Sequence, residues 1–410
     1  MQRYKIYLCI FASMKITDTL RNFIREHAED DLSELLLSAS RYKDIDVKIA
    51  VGQIRARSQI KDKLPLWHSD ERLFFPSTLA AEQCSSEITA LYKQRFIKNN
   101  DCLCDLTGGL GVDTYFFSQM ARSVIYVEKN VEYCDTAQYN MAILGASGVR
   151  VINADATDVV LNNDSRLSDA NVFYIDPARR GEGNKRLFAI SDCEPDLNKI
   201  WPVLLEKHCK IIVKLSPMLD ITQVLSQLPG VSEVHVVAVK NECKELLVVS
   251  SDNEQDTQIY CVNYTSYNEE RLFRFSLTDE HSATVCFAER VGRYLYEPNS
   301  SILKAGAYKS VAARYNVEKL HVNSHLYTSD HLVSSFPGRI FEVEEVISFN
   351  SRVCKDLASQ VQRANISVRN FPLSADELRK RTRIADGGDI YLFATTLSDN
   401  KKVILKCVKL

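Results

Sequence analysis

The sequence predicts an α/β protein: a doubly wound, mainly parallel sheet of seven strands, with a helical region before it and a smaller α+β region after it. Three observations carry this. From residue 101 short runs that are apolar throughout alternate with helical segments, the pattern of strands buried on both faces. The last two runs, 234–239 and 246–250, follow each other closely, so the sheet ends in an antiparallel hairpin. The polar stretch 252–256 (Asp-Asn-Glu-Gln-Asp) then marks a domain boundary.

Residues 15–64 read as helical, because Leu20, Phe23, Ile24, Leu32, Leu35 and Leu36 recur at helical spacing with acids between them. Pro65 closes this region, since proline cannot continue a helix and biases Leu64 away from α. A new helix is expected from Pro76-Ser77-Thr78 to Lys98, capped by Ser77 or Thr78, with Glu82 in its first turns. Strands are expected at 102–105, 124–128, 149–153, 172–176, 211–214, 234–239 and 246–250, with helices such as 131–144 and 195–208 between them. Beyond the linker, 259–264, 272–276 and 341–347 read as strands and 300–315 as a helix. The expected domains are 1–75, 76–255, 256–325 and 326–410.

Composition bounds the function. With 45% apolar and 25% charged residues, wholesale disorder and a fibrous repeat are excluded. Lys plus Arg number 51 against 53 for Asp plus Glu, so net charge decides nothing about a nucleic-acid partner; only a local patch can. The twelve cysteines are scattered, and the close pair Cys102 and Cys104 has no second pair or histidine at metal spacing, so no metal is expected. Reduced thiols in the cytoplasm are the expectation. Arg3 and Lys5 before the apolar run 6–12 imitate a short signal peptide, but a charged helical segment follows at once and Met14 serves equally well as a start, so export is not expected. No apolar stretch reaches the ~18 residues of a membrane span.

The most informative segment is Asp105-Leu-Thr107-Gly108-Gly109-Leu-Gly111-Val-Asp113, between a strand and a helix. Glycines there let a ligand approach the backbone, and the helix start adds its positive end. Three acids fall at one edge of the sheet: Asp105 ends the first strand, Glu128 the second, and Asp155 follows the third. A carboxylate after strand two suits both hydroxyls of a ribose, and one after strand three suits an adenine amino group, so the three define an adenosine site. A nicotinamide fingerprint needs a third glycine, where Thr114 stands. An acid before the glycines also repels a pyrophosphate but suits a cationic methionine moiety, so charge prefers S-adenosylmethionine.

On these residues the chain resembles the class I S-adenosylmethionine-dependent methyltransferases, with their Rossmann-like sheet. More narrowly it resembles a bacterial group that carries a small ferredoxin-like segment and then a THUMP-like domain at the C-terminus. The matching motifs are Gln53-Ile54, Lys63-Leu-Pro-Leu-Trp67, Glu82-Gln-Cys-Ser-Ser-Glu87, the loop 105–113 and Asp176-Pro-Ala-Arg-Arg180. The resemblance implies residues 256–325 as the ferredoxin-like segment and 326–410 as the THUMP-like domain. It implies Asp105, Gly108, Gly109 and Gly111 around the methionine portion, Glu128 at the ribose and Asp155 at the adenine, with Thr107, Asp113, Lys129, Ala156 and Asp176 as further cofactor contacts. THUMP domains in general are associated with RNA modification, which implies an RNA partner, tRNA or rRNA.

Asp176-Pro177-Ala178-Arg179-Arg180 closes strand four, where such folds place the acceptor. Related enzymes that methylate exocyclic amines have Pro-Pro and an aromatic after the acid; this chain has Pro177, Ala178 and Arg179, which puts amine methylation in doubt. Asp176 can act as a general base, and Arg179 can stack on a base or grip a phosphate, unless Arg179 and Arg180 pair with nearby acids. Gln83 and Ser85 are candidates for a polar lid, and Lys214, ending strand five, for a substrate contact or an ion pair. Cys84 and Cys193 have no recognisable base beside them, so both read as structural thiols. In the tail, 363–410, ten basic residues face five acids, and Arg379, Lys380, Arg381 and Arg383 form the densest cluster, a solvated face or an RNA contact. The expected function is methyl transfer from S-adenosylmethionine to RNA. The alternatives are a small-molecule or protein acceptor, or an RNA-binding protein that keeps a silent cofactor pocket. The sequence does not specify an oligomeric state.

Overall fold

In the computed structural model, residues 16–179, 190–251, 256–350 and 353–410 are described. Helices α1 (Asp18–Glu26), α2 (Leu32–Leu37), α3 (Val47–Ile60) and α4 (Pro65–Ser69) come first. Thr17, Asp31 and Asp46 cap the first three by accepting backbone N–H groups that the helix leaves unpaired. Leu20, Phe23, Ile24, Leu35, Val47, Ala50, Val51 and Ile54 bury their shared face. Gln53 is buried in this layer because its amide exchanges two hydrogen bonds with the Phe75 backbone, at 2.8 and 3.0 Å.

The single helix expected from 76 to 98 is instead two, α5 (Thr78–Gln83) and α6 (Glu87–Lys93). Cys84 is extended between them, and Ser86 accepts from the N–H of Thr89 to start the second. Serine hydroxyls compete with the helix for backbone partners, and the Ser85-Ser86 pair breaks it here. Of the two expected caps, Ser77 is the one used.

The sheet region contains β1 (Cys102–Asp105), α7 (Val112–Ser118), β2 (Ser123–Glu128), α8 (Val131–Ile143), β3 (Val149–Asn153), α9 (Ala156–Leu161) and β4 (Val172–Ile175). Next come the short pair β5 (Ala178–Arg179) and β6 (Cys193–Glu194), then α10 (Leu197–Glu206), β7 (Lys210–Leu215) and α11 (Ile221–Gln227). The long strands β8 (Val231–Val239), β9 (Glu242–Ser250), β10 (Gln258–Ser266) and β11 (Glu269–Ser276) follow. The strand order is β11-β10-β8-β9-β7-β4-β1-β2-β3. β1 lies between β2 and β4, parallel to both, which puts the carboxyl ends of all three at one edge. All seven expected strands are there, but the sheet runs two strands further than the expected hairpin. The runs 259–264 and 272–276, expected behind the boundary, are β10 and β11, with β10 parallel to β8. Ile259, Cys261 and Val262 are fully buried, which is what holds β10 in a sheet. Most of the expected linker (252–255) lies outside the described residues, as does the N-terminal apolar run.

The chain divides into two compact units, residues 1–231 with 247–253, and residues 232–246 with 254–410. The second unit continues through α12 (Leu277–Ser282), β12 (Tyr294–Pro298), α13 (Ser300–Ala305), α14 (Tyr308–Tyr315), β13 (Glu318–Lys319) and β14 (Tyr327–Ser329). It ends with β15 (Gly338–Ser348), α15 (Val353–Gln360), β16 (Asn365–Arg369), α16 (Ala375–Thr382), β17 (Ile390–Thr396) and β18 (Lys402–Lys409). These strands form a separate sheet in the order β13-β14-β12-β15-β18-β17-β16. The helix expected at 300–315 is two, because Gly306 ends α13 in the left-handed region. Among the described residues no helix is long and apolar enough to cross a membrane.

Candidate cofactor and acceptor site

β1 ends in Asp105, and the chain turns through Gly109 (φ +54°) and Gly111 (φ +85°) into α7. Both are in the region that favours glycine. Gly108 is needed for another reason: a Cβ there would stand 2.1 Å from the ring of Tyr126. That ring underlies the loop, and its hydroxyl donates to the carbonyl of Gly109 at 2.6 Å. From the end of β2, Glu128 accepts the N–H of Gly109 at 3.1 Å and that of Asn130 at 2.8 Å. Asp105 is buried, accepting from the N–H of Thr107 at 3.0 Å and the hydroxyl of Thr114 at 2.6 Å. Thr114, which breaks the nicotinamide fingerprint, thus holds the acid in place. Burial pushes the Asp105 carboxyl up to about 7, with the Asp113 and Asp176 charges adding to the rise and the two hydrogen bonds opposing it.

The acceptor edge adjoins this loop. The N–H of Asp176, just past β4, donates to the Thr107 hydroxyl at 2.6 Å, and Lys214 on β7 donates to its Oδ2 at 2.5 Å. Two residues earlier the hydroxyl of Tyr174 donates to Asp113, in the first turn of α7, at 2.7 Å. Asp113 also accepts from Ser85 at 2.7 Å and pairs with Lys93 at 2.9 Å, while Lys93 donates to Ser85 at 2.8 Å. Lys93 is 0% exposed. Burial pushes the Asp113 carboxyl up, but Lys93, Lys214 and the Tyr174 hydroxyl outweigh it and hold Asp113 below the usual carboxylate range. Lys63, half-buried, donates to the carbonyl of Glu82 at 2.6 Å, and its charge acts on the Cys84 thiol. Burial lowers the Lys63 ammonium and raises the Cys84 thiol, which keeps that sulfur protonated and a poor nucleophile.

The structure thus brings together Asp105, Thr107, Gly108, Gly109, Gly111, Asp113, Glu128, Asp176, Pro177 and Lys214 at one edge. Asp155 caps α9, accepting through Oδ1 from Thr157 and Asp158, and Ala156 behind it is buried. Lys129 is exposed and paired with Glu194. Gln83 is exposed at the end of α5. Ser85 is buried, its hydroxyl engaged on both sides, so it supports the loop from behind and lines no lid. Arg180 and the side chain of Arg179 lie outside the described residues. Arg379, on α16 in the second unit, pairs with Asp386 at 2.7 Å, whereas Lys380, Arg381 and Arg383 are exposed. Among the described residues no group of three His, Cys, Asp or Glu is placed to hold a metal ion. Tyr126, Lys93 and Tyr174 were not singled out from the sequence. The one signal each tyrosine gives is a hydroxyl in an otherwise apolar strand, which has to find a partner when buried.

Known proteins resemble the chain over nearly its whole length. A ferredoxin-like domain model matches residues 294–337, and a THUMP domain-like model matches 338–409. The crystal structure of a candidate methyltransferase from Porphyromonas gingivalis W83 is 38% identical, covers 95% of this chain and 97% of its own, and superposes with a TM-score of 0.86. A candidate methyltransferase from Streptococcus mutans in complex with SAH is 16% identical over 31% of this chain and 70% of its own, with a TM-score of 0.24. An rRNA methylase from Streptococcus thermophilus is 13% identical over 40% of this chain and 93% of its own, with a TM-score of 0.28. Neither of these last two likenesses carries weight at such scores. No curated protein matches the chain. With more than a third of its residues shared across the full length of the Porphyromonas protein, and the two C-terminal matches in series, the chain belongs to the class I S-adenosylmethionine-dependent methyltransferases that carry a ferredoxin-like segment and a THUMP-like domain.

Proposed function

We propose that this methyltransferase holds S-adenosylmethionine across the carboxyl ends of β1, β2 and β3 and methylates RNA. The observation that carries the first half is the pair of carboxylates around the glycine loop. Asp105 holds the start of the loop through the N–H of Thr107 and Glu128 holds its middle through the N–H of Gly109, an arrangement that repels a phosphate and attracts an ammonium or sulfonium. A Cβ added at Gly109 would meet only the Thr107 carbonyl, at 3.7 Å, so the loop is open on that side. Asp105 would face the amino group, Glu128 the ribose hydroxyls, and Asp155, through the oxygen not used in capping, the adenine amino group. When bound, the donor supplies an electrophilic methyl carbon. Asp176 orients the acceptor and takes its proton, and Lys214 fixes the Asp176 carboxylate. RNA as acceptor is supported by the THUMP domain-like match and by exposed Lys380, Arg381 and Arg383 on and beside α16.

The deciding experiment incubates the protein with labelled donor and total bacterial RNA, beside protein and small-molecule fractions. Label in RNA supports the reading; label in another fraction alone overturns it. Substituting Lys380, Arg381 and Arg383 together should flatten the salt dependence of RNA affinity by about two units, at about 0.7 per phosphate for single strands. Arg379 is left out because Asp386 already neutralises it. Coincident slopes would make this cluster a solvated face.

Glu128→Ala removes hydrogen bonds to a charged acceptor worth about 1.5–3 kcal/mol each, so donor affinity should fall roughly ten- to a hundredfold or more, read by calorimetry. An unchanged Kd in the folded variant would move the ribose elsewhere. Donor affinity should also depend on pH through Asp105. Its carboxyl titrates near 7 when folded against 3.8 in its ordinary range, so the folded protein retains a proton that the unfolded chain has lost. The stability this adds is greatest at low pH and is lost as pH rises through 3.8 to about 7. A cationic donor favours the ionised form, so its affinity should rise from pH 6 to 8 and level off above about 8. Asp105→Asn should remove that rise; a flat wild-type profile counts against the assignment.

A further inference from the structure

The second unit holds a buried carboxylate with more positive charge bonded to it than it needs. Glu297, on β12, is 3% exposed. Arg339, its direct partner across β12 and β15, donates through Nε to Oε2 at 2.7 Å and through Nη2 to the same oxygen. Arg369, the last residue of β16, donates through Nη2 to Oε1 at 2.8 Å, and its Nη1 donates to the Val368 carbonyl at 3.0 Å. Both arginine side chains remain more than a third exposed. We propose that these three residues form a phosphate-binding site, in which the buried Glu297 carboxylate aims the Arg339 and Arg369 guanidinium groups at a phosphodiester of an RNA strand. This rests on the RNA reading above and gives that partner a hold in addition to the cluster on α16.

The surplus decides. One guanidinium neutralises one carboxylate, and would be enough to join the segment matched as ferredoxin-like, where Glu297 lies, to the THUMP-like one, where both arginines lie. With two, the cluster keeps one positive charge, the complement of one phosphodiester. Of the five N–H groups on each guanidinium two are engaged, and among the described residues no other polar partner takes the remaining three. Because both arginines grip one carboxylate, they are held on either side of it, so part of the ordering that binding would cost is already made. Two forks arriving from different strands suit the tetrahedral oxygens of a phosphate, whereas a planar carboxylate is filled by one. Carboxylates on the same elements do not cancel the surplus. β12 and β16 carry no other acid. On β15, Glu342 pairs with Arg293 and Glu344 with Lys406, and Glu345 is six residues on from Arg339. Asp330 pairs with Arg290, and Glu280 accepts from the N–H groups of Lys309 and Ser310. Burial, and after it the charges of Lys319 and Arg369, push the His325 imidazole down to about 4, so the Arg369 flank is electropositive without it.

The test measures the affinity of the full chain for a mixed-sequence single-stranded RNA across a salt series, with thermal melts beside it. Arg339→Met and Arg369→Met each leave the other arginine to neutralise Glu297, so both should fold. Each should weaken RNA binding roughly tenfold or more and flatten the salt slope by about 0.7, the share of one phosphate on a single strand. A cluster that only joins two segments would lower the melting temperature and leave the slope where it was. Arg339→Lys and Arg369→Lys keep the charge and the pair with Glu297 but lose the planar fork, so their slopes should match wild type while affinity falls several-fold. A wild-type slope in either folded methionine variant, with RNA still bound by the wild type, overturns this inference alone. A wild-type protein that binds no RNA overturns the RNA reading and this site with it. If a methionine variant fails to fold, the lysine variants carry the test, and wild-type RNA affinity in both of them overturns the site.

Discussion

Lys93→Met should destabilise the first unit by about 3–5 kcal/mol, the usual cost of removing one partner from a buried ion pair. Lys93 is fully buried, and its ammonium serves both Asp113 and Ser85, so the variant leaves a carboxylate in the interior with two hydroxyl donors, no direct ion-pair partner and only the charge of Lys214 to offset it. At roughly 2–4 °C per kcal/mol for a unit of this size, the melting temperature should drop by about 6–20 °C. The loss should shrink at low pH, because burial is the largest influence on Asp113, and without Lys93 it drives that carboxyl up and toward protonation. The double variant Lys93→Met with Asp113→Asn should be more stable than Lys93→Met alone, since it removes the stranded charge. Thermal melts of the three proteins at pH 5.5 and 8 decide the matter. A Lys93→Met protein within 1 kcal/mol of wild type at both pH values would mean that water reaches Asp113.

The network also explains why the glycine loop could be read from the sequence while its support could not. The loop is legible because its constraints are local. Gly109 and Gly111 adopt backbone angles that other residues resist, and Asp105, Glu128 and Asp155 fall at strand ends fixed by runs of apolar residues. Lys93 is one lysine in a short helix, and it meets Ser85 eight residues away, Asp113 twenty away and, with its ammonium 5.9 Å from the ring centre, Tyr174 more than eighty away; no local pattern encodes such a meeting. Thr114 shows the same limit from the other side. As a missing glycine it excluded a dinucleotide, but its bond to Asp105 is visible only once α7 has folded back onto β1.

The same distinction holds for the elements. Most of the seven strands were legible because a strand buried on both faces must be apolar along its length, and the edge strand β3, exposed at Arg150 and Asn153, still keeps Val149, Val151 and Ile152. β10 and β11 were read as strands too, but their sheet was not, since a polar linker before a strand says nothing about which edge it joins. The broken helices at Cys84 and at Gly306 carried signals, Ser85-Ser86 in one case and a glycine in the other. Apolar spacing on either side continued through both and masked them.

Asp176→Asn should lower kcat by 10²–10⁴ while leaving the fold and donor affinity nearly unchanged. That range is what a positioned general base contributes, and at 1.36 kcal/mol per decade it corresponds to about 3–5 kcal/mol of transition-state stabilisation. The substitution is chosen for its shape. The backbone N–H of Asp176 still reaches Thr107, and an amide oxygen can still accept from Lys214, so the geometry of the β4 turn is kept. What disappears is the capacity to take a proton and the counter-charge to Lys214. Because Lys214 would then act on the acceptor without its carboxylate partner, acceptor affinity should change far less than kcat, and Lys214→Met should reverse that balance by weakening acceptor binding as well. Steady-state kinetics for both variants, with calorimetric donor affinity beside them, separates the two effects. If Asp176→Asn keeps kcat within tenfold of wild type, the acceptor proton leaves to another group, and Asp176 serves only to hold Lys214 at the edge of the sheet.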